Sequence, residues 1–247
     1  ISKSYADKTL FQDINFTIEE NQNIALVGIN GTGKSTLLKI IAGVEEARSG
    51  QITHMKDIQI EYLPQTMEYN PDVTILEHIF SGNHPSMLLI KEYEELLEAL
   101  EANPEDEKLQ EQLFRITAQM DAKDLWKMES DVKSILSRLG ITKYTLPMKV
   151  LSGGQRRRVF LAAALIRPSH LLILDEPTNH LDDRMIQFLE DYLQKRNKST
   201  LMVTHDRYFL DRVTNRIIEL DQGNLYSYNG NYTDFLEQKT EREALMH

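Results

Sequence analysis

The stretch Gly28-Ile29-Asn30-Gly31-Thr32-Gly33-Lys34-Ser35 constrains this 247-residue chain more than any other. It follows a short apolar run, Ile24 to Val27, and opens onto Thr36, Leu37, Leu38, Lys39, Ile40 and Ile41, whose pattern is helical. The spacing is G-x-x-x-x-G-K-[ST] in a strand-to-helix setting, that of a phosphate-binding loop. Glycines let successive backbone N–H groups turn inward, and the new helix presents the positive end of its dipole to an anion. Lys34 is expected to reach the β- and γ-phosphates of a nucleotide, and the Ser35 hydroxyl to coordinate Mg²⁺.

The 38 acidic and 28 basic residues leave a formal charge of -10. That balance argues against a broadly basic nucleic-acid surface, while leaving room for a local patch. Cysteine is absent, so disulfides and thiolate metal sites are excluded. No run reaches the ~20 apolar residues of a membrane-spanning helix, and the first residues lack a signal peptide's composition. The expected location is cytoplasmic. The length suits one core or two unequal lobes, because single cores stop growing near ~250 residues. The chain opens inside what reads as its first strand and ends in a charged, helix-compatible stretch, 237–247, so it reads as a fragment of something longer.

Leu10, Ile14, Phe16 and Ile18 alternate as in a sheet with one buried side, before the strand Ile24 to Val27. Tyr5 lies upstream in a polar turn, where an aromatic can stack on an adenine or serve local packing. Ile58, Ile60 and Tyr62 alternate again until Pro64, which leaves Gln65 on a loop. After residue 72 the period becomes helical. Leu89, Tyr93, Leu96, Leu97 and Leu100 share one face, and Leu109, Leu113, Ile116 and Met120 share another, with Asn103-Pro104 between them, which predicts an antiparallel helix pair. Nine acidic residues and two lysines between Lys91 and Gln112 read as a solvated face. A further helix covers Asp131 to Leu139 and stops at Gly140. Strands return at Leu171 to Leu174, Ser199 to Val203 and Arg216 to Leu220, with helical stretches such as Arg184 to Lys195 between them. That alternation predicts a mostly parallel α/β sheet interrupted by an inserted helical lobe.

Three further elements carry chemistry. Asp175 leaves the buried run Leu171 to Leu174, where a carboxylate can hold Mg²⁺ opposite a phosphate loop, and Glu176 can accept a proton from an attacking water. Leu151-Ser152-Gly153-Gly154-Gln155 starts a helix and forms a second anion-binding N-terminus, or an ordinary cap. One chain does not need two such sites for one phosphate tail, so this element is better explained as closing over a nucleotide held by a second, similar domain. His205 lies just beyond an apolar strand at the sheet edge of Asp175 and Gln65, a position suited to sensing a γ-phosphate.

In chain order, Gly28 to Ser35, Gln65, Leu151 to Gln155, Asp175-Glu176, Leu181-Asp182 and His205 resemble the phosphate loop, Q-loop, signature, Walker B pair, D-loop and switch histidine of an ATP-binding cassette domain. The resemblance covers essentially the whole chain. It implies an α/β P-loop NTPase fold of the cassette type, with an N-terminal β-rich part and an inserted helical subdomain. Residues 1–72 and 156–230 are then the nucleotide-binding core. Residues 73–155 are the helical subdomain with an arm-like pair and the signature, and 231–247 begin a C-terminal helix or linker. ATP and Mg²⁺ are the implied ligands. Tyr5 would stack on adenine, and Gly28, Asn30, Gly31, Thr32, Gly33, Lys34, Ser35 and Thr36 would surround the phosphates. Ser35, Gln65 and Asp175 would hold the metal, while Glu176, Lys34, Gln65 and His205 form the catalytic set. Ser152, Gly153, Gly154 and Gln155 would serve a partner domain's nucleotide in a head-to-tail sandwich, with Asp182 communicating across the interface.

Asp-Glu-Pro-Thr-Asn-His-Leu-Asp from Asp175, His-Asp-Arg-Tyr-Phe-Leu from His205 and the ending Tyr228 to Tyr232 resemble the soluble ABC-F translation-factor ATPases. The extra helices between Gln65 and Leu151 resemble the arm of the first cassette in a Uup-like member. This implies an ATPase that is weak alone. It also implies a partner cassette, in the same full-length chain or as a homodimer, and a ribosome with its RNA contacted through a linker. The alternatives are the ATPase of an ABC membrane transporter and a DNA-associated repair or maintenance ATPase.

Overall fold

A computed structural model describes residues 1–5, 8–82 and 84–245. The chain forms two compact units: Ile1–Met67 with Pro168–His247, and Glu68–Arg167.

The first unit begins with an antiparallel pair, β1 (Lys3–Tyr5) and β2 (Lys8–Phe11), followed by β3 (Asn23–Val27), α1 (Lys34–Ile41) and β4 (Ile60–Leu63). The alternation from Ile14 to Ile18 is real as burial but builds no strand. Ile14 is buried and Phe16 and Ile18 are half-buried between exposed neighbours. Ile1 and Ile14 exchange two bonds, Ile1 N–H to the Ile14 carbonyl at 2.9 Å and Ile14 N–H to the Ile1 carbonyl at 3.1 Å. Beyond that pair no ladder continues among the described residues.

The inserted unit is helical: α2 (Ile75–Ile79), α3 (Pro85–Ala102), α4 (Glu107–Ala122), α5 (Trp126–Arg138), a 3-10 turn at Met148–Val150 and α6 (Gly153–Ile166). Thr74 and Glu77 cap α2 reciprocally, and Asp106 caps α4. Gly140, with φ 71°, ends α5 as its sequence position predicts. The apolar faces of α3 and α4 meet as an antiparallel pair. Every residue from Val159 to Ile166 is buried, and α6 packs against α2 and α5. This is why α6 groups with the helical unit, and the units divide at Met67 and Arg167 rather than at residues 72 and 155.

The chain returns to the first unit through β5 (Leu171–Asp175), α7 (Asp183–Lys195), β6 (Ser199–Val203), α8 (Arg207–Val213), β7 (Arg216–Asp221), β8 (Asn224–Asn229) and α9 (Tyr232–Leu245). Six strands form one sheet in the order β4-β5-β6-β3-β7-β8, parallel except for β8. The central strands β5 and β6 are buried throughout, which is why they read as unbroken apolar runs. β7 and β8 are joined through Gln222 and Gly223, both with positive φ, the geometry of a tight hairpin. Ile24, Leu26, Leu37, Leu38, Ile173, Leu201 and Ile218 form the core that fastens α1 to the sheet.

Candidate functional site

The phosphate loop leaves β3 at Gly28 and enters α1 at Lys34. Crowding fixes Gly28, because a Cβ there would stand 2.5 Å from the Leu220 carbonyl oxygen of β7. Gly33 caps α1 in a left-handed conformation, φ 99°, and its Cβ would press on Leu10 and Phe11 at 3.2 Å. Neighbouring strands therefore hold the loop at both ends. Asn30 and Gly31 are exposed at its tip, while Ser35 and Thr36 are half-buried in the first turn of α1. Thr32 Oγ1 donates to the Ile29 carbonyl at 2.9 Å. The buried Lys34 donates from Nζ to the carbonyls of Gly28 at 2.7 Å and Ile29 at 3.0 Å. Desolvation lowers the Lys34 pKa, and the negative charges of Glu176 and Asp175 oppose that effect. The cation of the loop and the two carboxylates thus share one electrostatic environment.

Register places the other candidates. Leu63 of β4 is level with Leu174 of β5, and Asp175 is level with Val203 of β6. Gln65, Asp175 and His205 consequently leave adjacent strands at the same C-terminal edge from which the phosphate loop leaves β3, where open α/β sheets take ligands. Gln65 is exposed, whereas Asp175 and Glu176 are buried. Glu176 adopts φ 53°, a left-handed conformation that costs a non-glycine residue on the order of 1 kcal/mol. Its N–H donates to the Val203 carbonyl at 2.7 Å, which pins this strained turn to β6. Its carboxylate accepts the His205 backbone N–H at 3.3 Å and lies 3.3 Å from His205 Nε2.

Two threonines outside the expected set support this edge. The Thr178 and Thr204 hydroxyls are 3.4 Å apart, and Thr204 Oγ1 accepts the Asp206 N–H at 3.1 Å. Asp206 then caps α8 at Phe209. Their signal was available in principle, since each follows one of two strand ends that stand level in the sheet.

Tyr5 is placed beside the first turn of α1, its hydroxyl bonded to Glu45 and to the Thr36 side chain. The bond to Glu45 is the main reason the phenol pKa is raised and the Glu45 pKa lowered. Lys3 Nζ lies 2.9 Å from Glu45 and 5.2 Å from the centre of the Tyr5 ring. The sequence reading missed Lys3 and Glu45, which bracket Tyr5 from distant positions without a motif. Asp182 caps α7 by accepting the Met185 N–H at 2.9 Å.

Ser152 to Gln155 belong to the helical unit. Ser152 Oγ accepts the Gln155 N–H at 3.1 Å, and Gln155 Oε1 accepts the Ser152 N–H at 2.8 Å. The local geometry is a capping box with an exposed Gly153, where a Cβ would meet nothing within 4 Å.

A family model described as ABC transporter matches residues 11–179, and a second with the same description matches residues 218–247. The chain belongs to the ABC transporter family. It is the ATPase domain of that family, with the P-loop fold expected from the sequence. The first match includes the phosphate loop, Gln65, Ser152 to Gln155 and Asp175-Glu176, whereas Tyr5 and His205 lie outside it.

Three relatives narrow the comparison. The Bacillus subtilis uncharacterized ABC transporter ATP-binding protein YfmR is 52% identical over 98% of this chain and 38% of its own length. The energy-dependent translational throttle protein EttA of Mycobacterium tuberculosis is 36% identical over 99% of this chain and 44% of its own. The ATP-binding protein Uup of Haemophilus influenzae is 39% identical over 96% of this chain and 36% of its own. EttA and Uup are ABC-F members, so the ABC-F resemblance is borne out for this cassette. The chain spans less than half the length of each of these relatives. Among the described residues, no helix is long and apolar enough to cross a membrane.

The glycine cradle, the lysine beside it and the hard oxygen donors of Ser35 and Asp175 fit a nucleoside triphosphate with Mg²⁺.

Proposed function

We propose that this ABC ATPase domain works as one half of a head-to-tail two-cassette sandwich whose Mg-ATP cycle is coupled to translation on the ribosome. The observation that supports its chemistry is the gathering of Lys34, Asp175, Glu176 and His205 at one sheet edge. Loop N–H groups and Lys34 hold the β- and γ-phosphates, and Tyr5 stacks on the adenine. Ser35, Asp175 and Gln65 hold Mg²⁺, which when bound neutralises phosphate charge. Glu176 accepts the proton of the attacking water, and His205, seated against that carboxylate, contacts the γ-phosphate. Ser152 to Gln155 present a helix N-terminus to the partner cassette's nucleotide, with Asp182 at the same interface. The partner is a second cassette of the full-length chain or another copy of this one.

The coupling to translation is supported by the relative named as a translational throttle, which matches 99% of this chain. The ribosome and its RNA would be met through a linker beyond α9, and the protein would act in the cytoplasm. The test is co-sedimentation of the full-length protein with ribosomes under ATP, with Glu176 and its counterpart in the second cassette changed to Gln. Retention on ribosomes is expected. Trapped nucleotide without ribosome association would leave the ATPase chemistry standing and defeat the translational role.

A further inference from the structure

Glu219 lies within β7 and is only 3% exposed. Its carboxylate gathers three partners. Lys239 Nζ bonds Oε1, Arg242 Nη1 donates to Oε2 at 3.1 Å, and the Tyr228 hydroxyl donates to Oε2 at 3.1 Å. The Arg242 guanidinium also lies 3.8 Å from the centre of the Tyr226 ring on β8. Lys239 and Arg242 are three residues apart on α9, so one turn of that helix carries both charges. Lifting α9 would leave a buried carboxylate without its countercharges, which is strongly unfavourable.

The same short segment of β7 bears on the phosphate loop. Glu219 is level with Val27, the residue just before the loop. The next residue, Leu220, supplies the carbonyl oxygen that a Gly28 Cβ would approach to 2.5 Å. β3 and β7 are paired in register from Ile24 with Arg216 to Val27 with Glu219, so one ladder runs up to this contact. A displacement of β7 that admits water to Glu219 must therefore be felt at Gly28, and phosphates fixing the loop must hold β7 in the position that seats α9.

We propose that Glu219 is a positioning residue through which α9 and nucleotide in the phosphate loop stabilise one another. The proposal rests on the nucleotide reading of the loop and adds a consequence that reading lacks: the C-terminal helix senses whether the loop is filled. Coupling of this kind is reciprocal, so each event must favour the other by the same factor.

The experiment combines hydrogen exchange of the α9 amides with calorimetry of Mg-ATP binding to the chain. In the native chain, saturating Mg-ATP should raise α9 protection at least threefold. Changing Lys239→Met together with Arg242→Met should weaken Mg-ATP binding by a similar factor and abolish the nucleotide effect on α9. The conservative pair Lys239→Arg and Arg242→Lys should keep both. Native Mg-ATP affinity in a Met variant whose α9 amides exchange freely would overturn the proposal, reducing Glu219 to an attachment point. Unchanged α9 protection in the native chain on nucleotide binding would overturn it without any mutation, should the Met variant fail to fold. A native chain that binds no Mg-ATP would defeat the nucleotide reading itself.

Discussion

Glu176 and His205 face each other across the ends of β5 and β6, with the backbone N–H and ring Nε2 of His205 both 3.3 Å from the Glu176 carboxylate. The two members are unequal. Glu176 is 7% exposed and tied by its own N–H to Val203, whereas the His205 side chain is largely open to solvent. The glutamate is therefore the fixed acceptor, and the histidine is the group that can answer to a ligand at the sheet edge.

Glu176→Gln should bind Mg-ATP almost normally while hydrolysis falls by ~10² to 10⁴. Glutamine keeps the volume and still accepts the His205 N–H, but it cannot take a proton from water. Phosphate release and calorimetry on the same preparation check this. A near-native rate would place the base elsewhere.

Lys34→Ala removes the ammonium that bonds the Gly28 and Ile29 carbonyls and, on the proposed reading, a charge-assisted contact to phosphate. Mg-ATP affinity should fall at least about tenfold, equivalent to ~1.4 kcal/mol. Calorimetry on a variant with native circular dichroism measures it, and unchanged affinity would sink the assignment of the loop.

Asp175 and Glu176 were legible because a buried parallel strand reads as an unbroken apolar run and the next residues must emerge at its C-terminal edge. The stretch from Ile14 to Ile18 misled for a related reason: a period of two reports alternating burial, and says nothing about whether a hydrogen-bonding neighbour is present. The boundary near residue 155 moved because the second half of α6, Val159 to Ile166, is apolar at every position, so its sequence carries no face to show which lobe it joins. Glu219 was invisible. Its partners Lys239 and Arg242 lie on α9, where charges ordinarily mark a solvated surface.

Gly28→Ala tests the close approach of β7. With only 2.5 Å between the new Cβ and the Leu220 carbonyl oxygen, backbone must move, at a cost on the order of 1 to 3 kcal/mol. Thermal unfolding should show the loss, together with weakened Mg-ATP binding. Gly153→Ala, at an open helix start, should leave stability within about 0.5 kcal/mol of native. Equal stability of the two variants would contradict the packing described here.

The helical unit should have its own pH optimum, because the buried Glu94 and the half-buried His78 titrate in opposite senses. Burial and a hydrogen bond to Glu129 raise the Glu94 pKa from 4.5 to about 8. Burial and the Arg167 charge lower the His78 pKa from 6.5 to about 4. Stability falls with rising pH wherever the folded state holds more protons than the unfolded one. Glu94 therefore contributes stability that is full below pH 4.5 and is lost as pH rises to about 8. His78, which the unfolded chain protonates more readily, contributes stability that is full above pH 6.5 and is lost as pH falls to about 4. From pH 4.5 to 6.5 the two slopes oppose and stability should be flat. Between pH 6.5 and 8 only Glu94 acts, and the loss should be on the order of 2 kcal/mol. Trp126, the single tryptophan, lies on α5 and packs edge-on to Tyr93 with ring centres 5.2 Å apart, so its fluorescence reports this unit during urea unfolding. Glu94→Gln mimics the protonated carboxyl and should flatten the alkaline limb, while the His78 slope, no longer opposed, should make stability rise from pH 4.5 to 6.5 instead of staying level. An alkaline limb that survives this change would remove Glu94 as its cause.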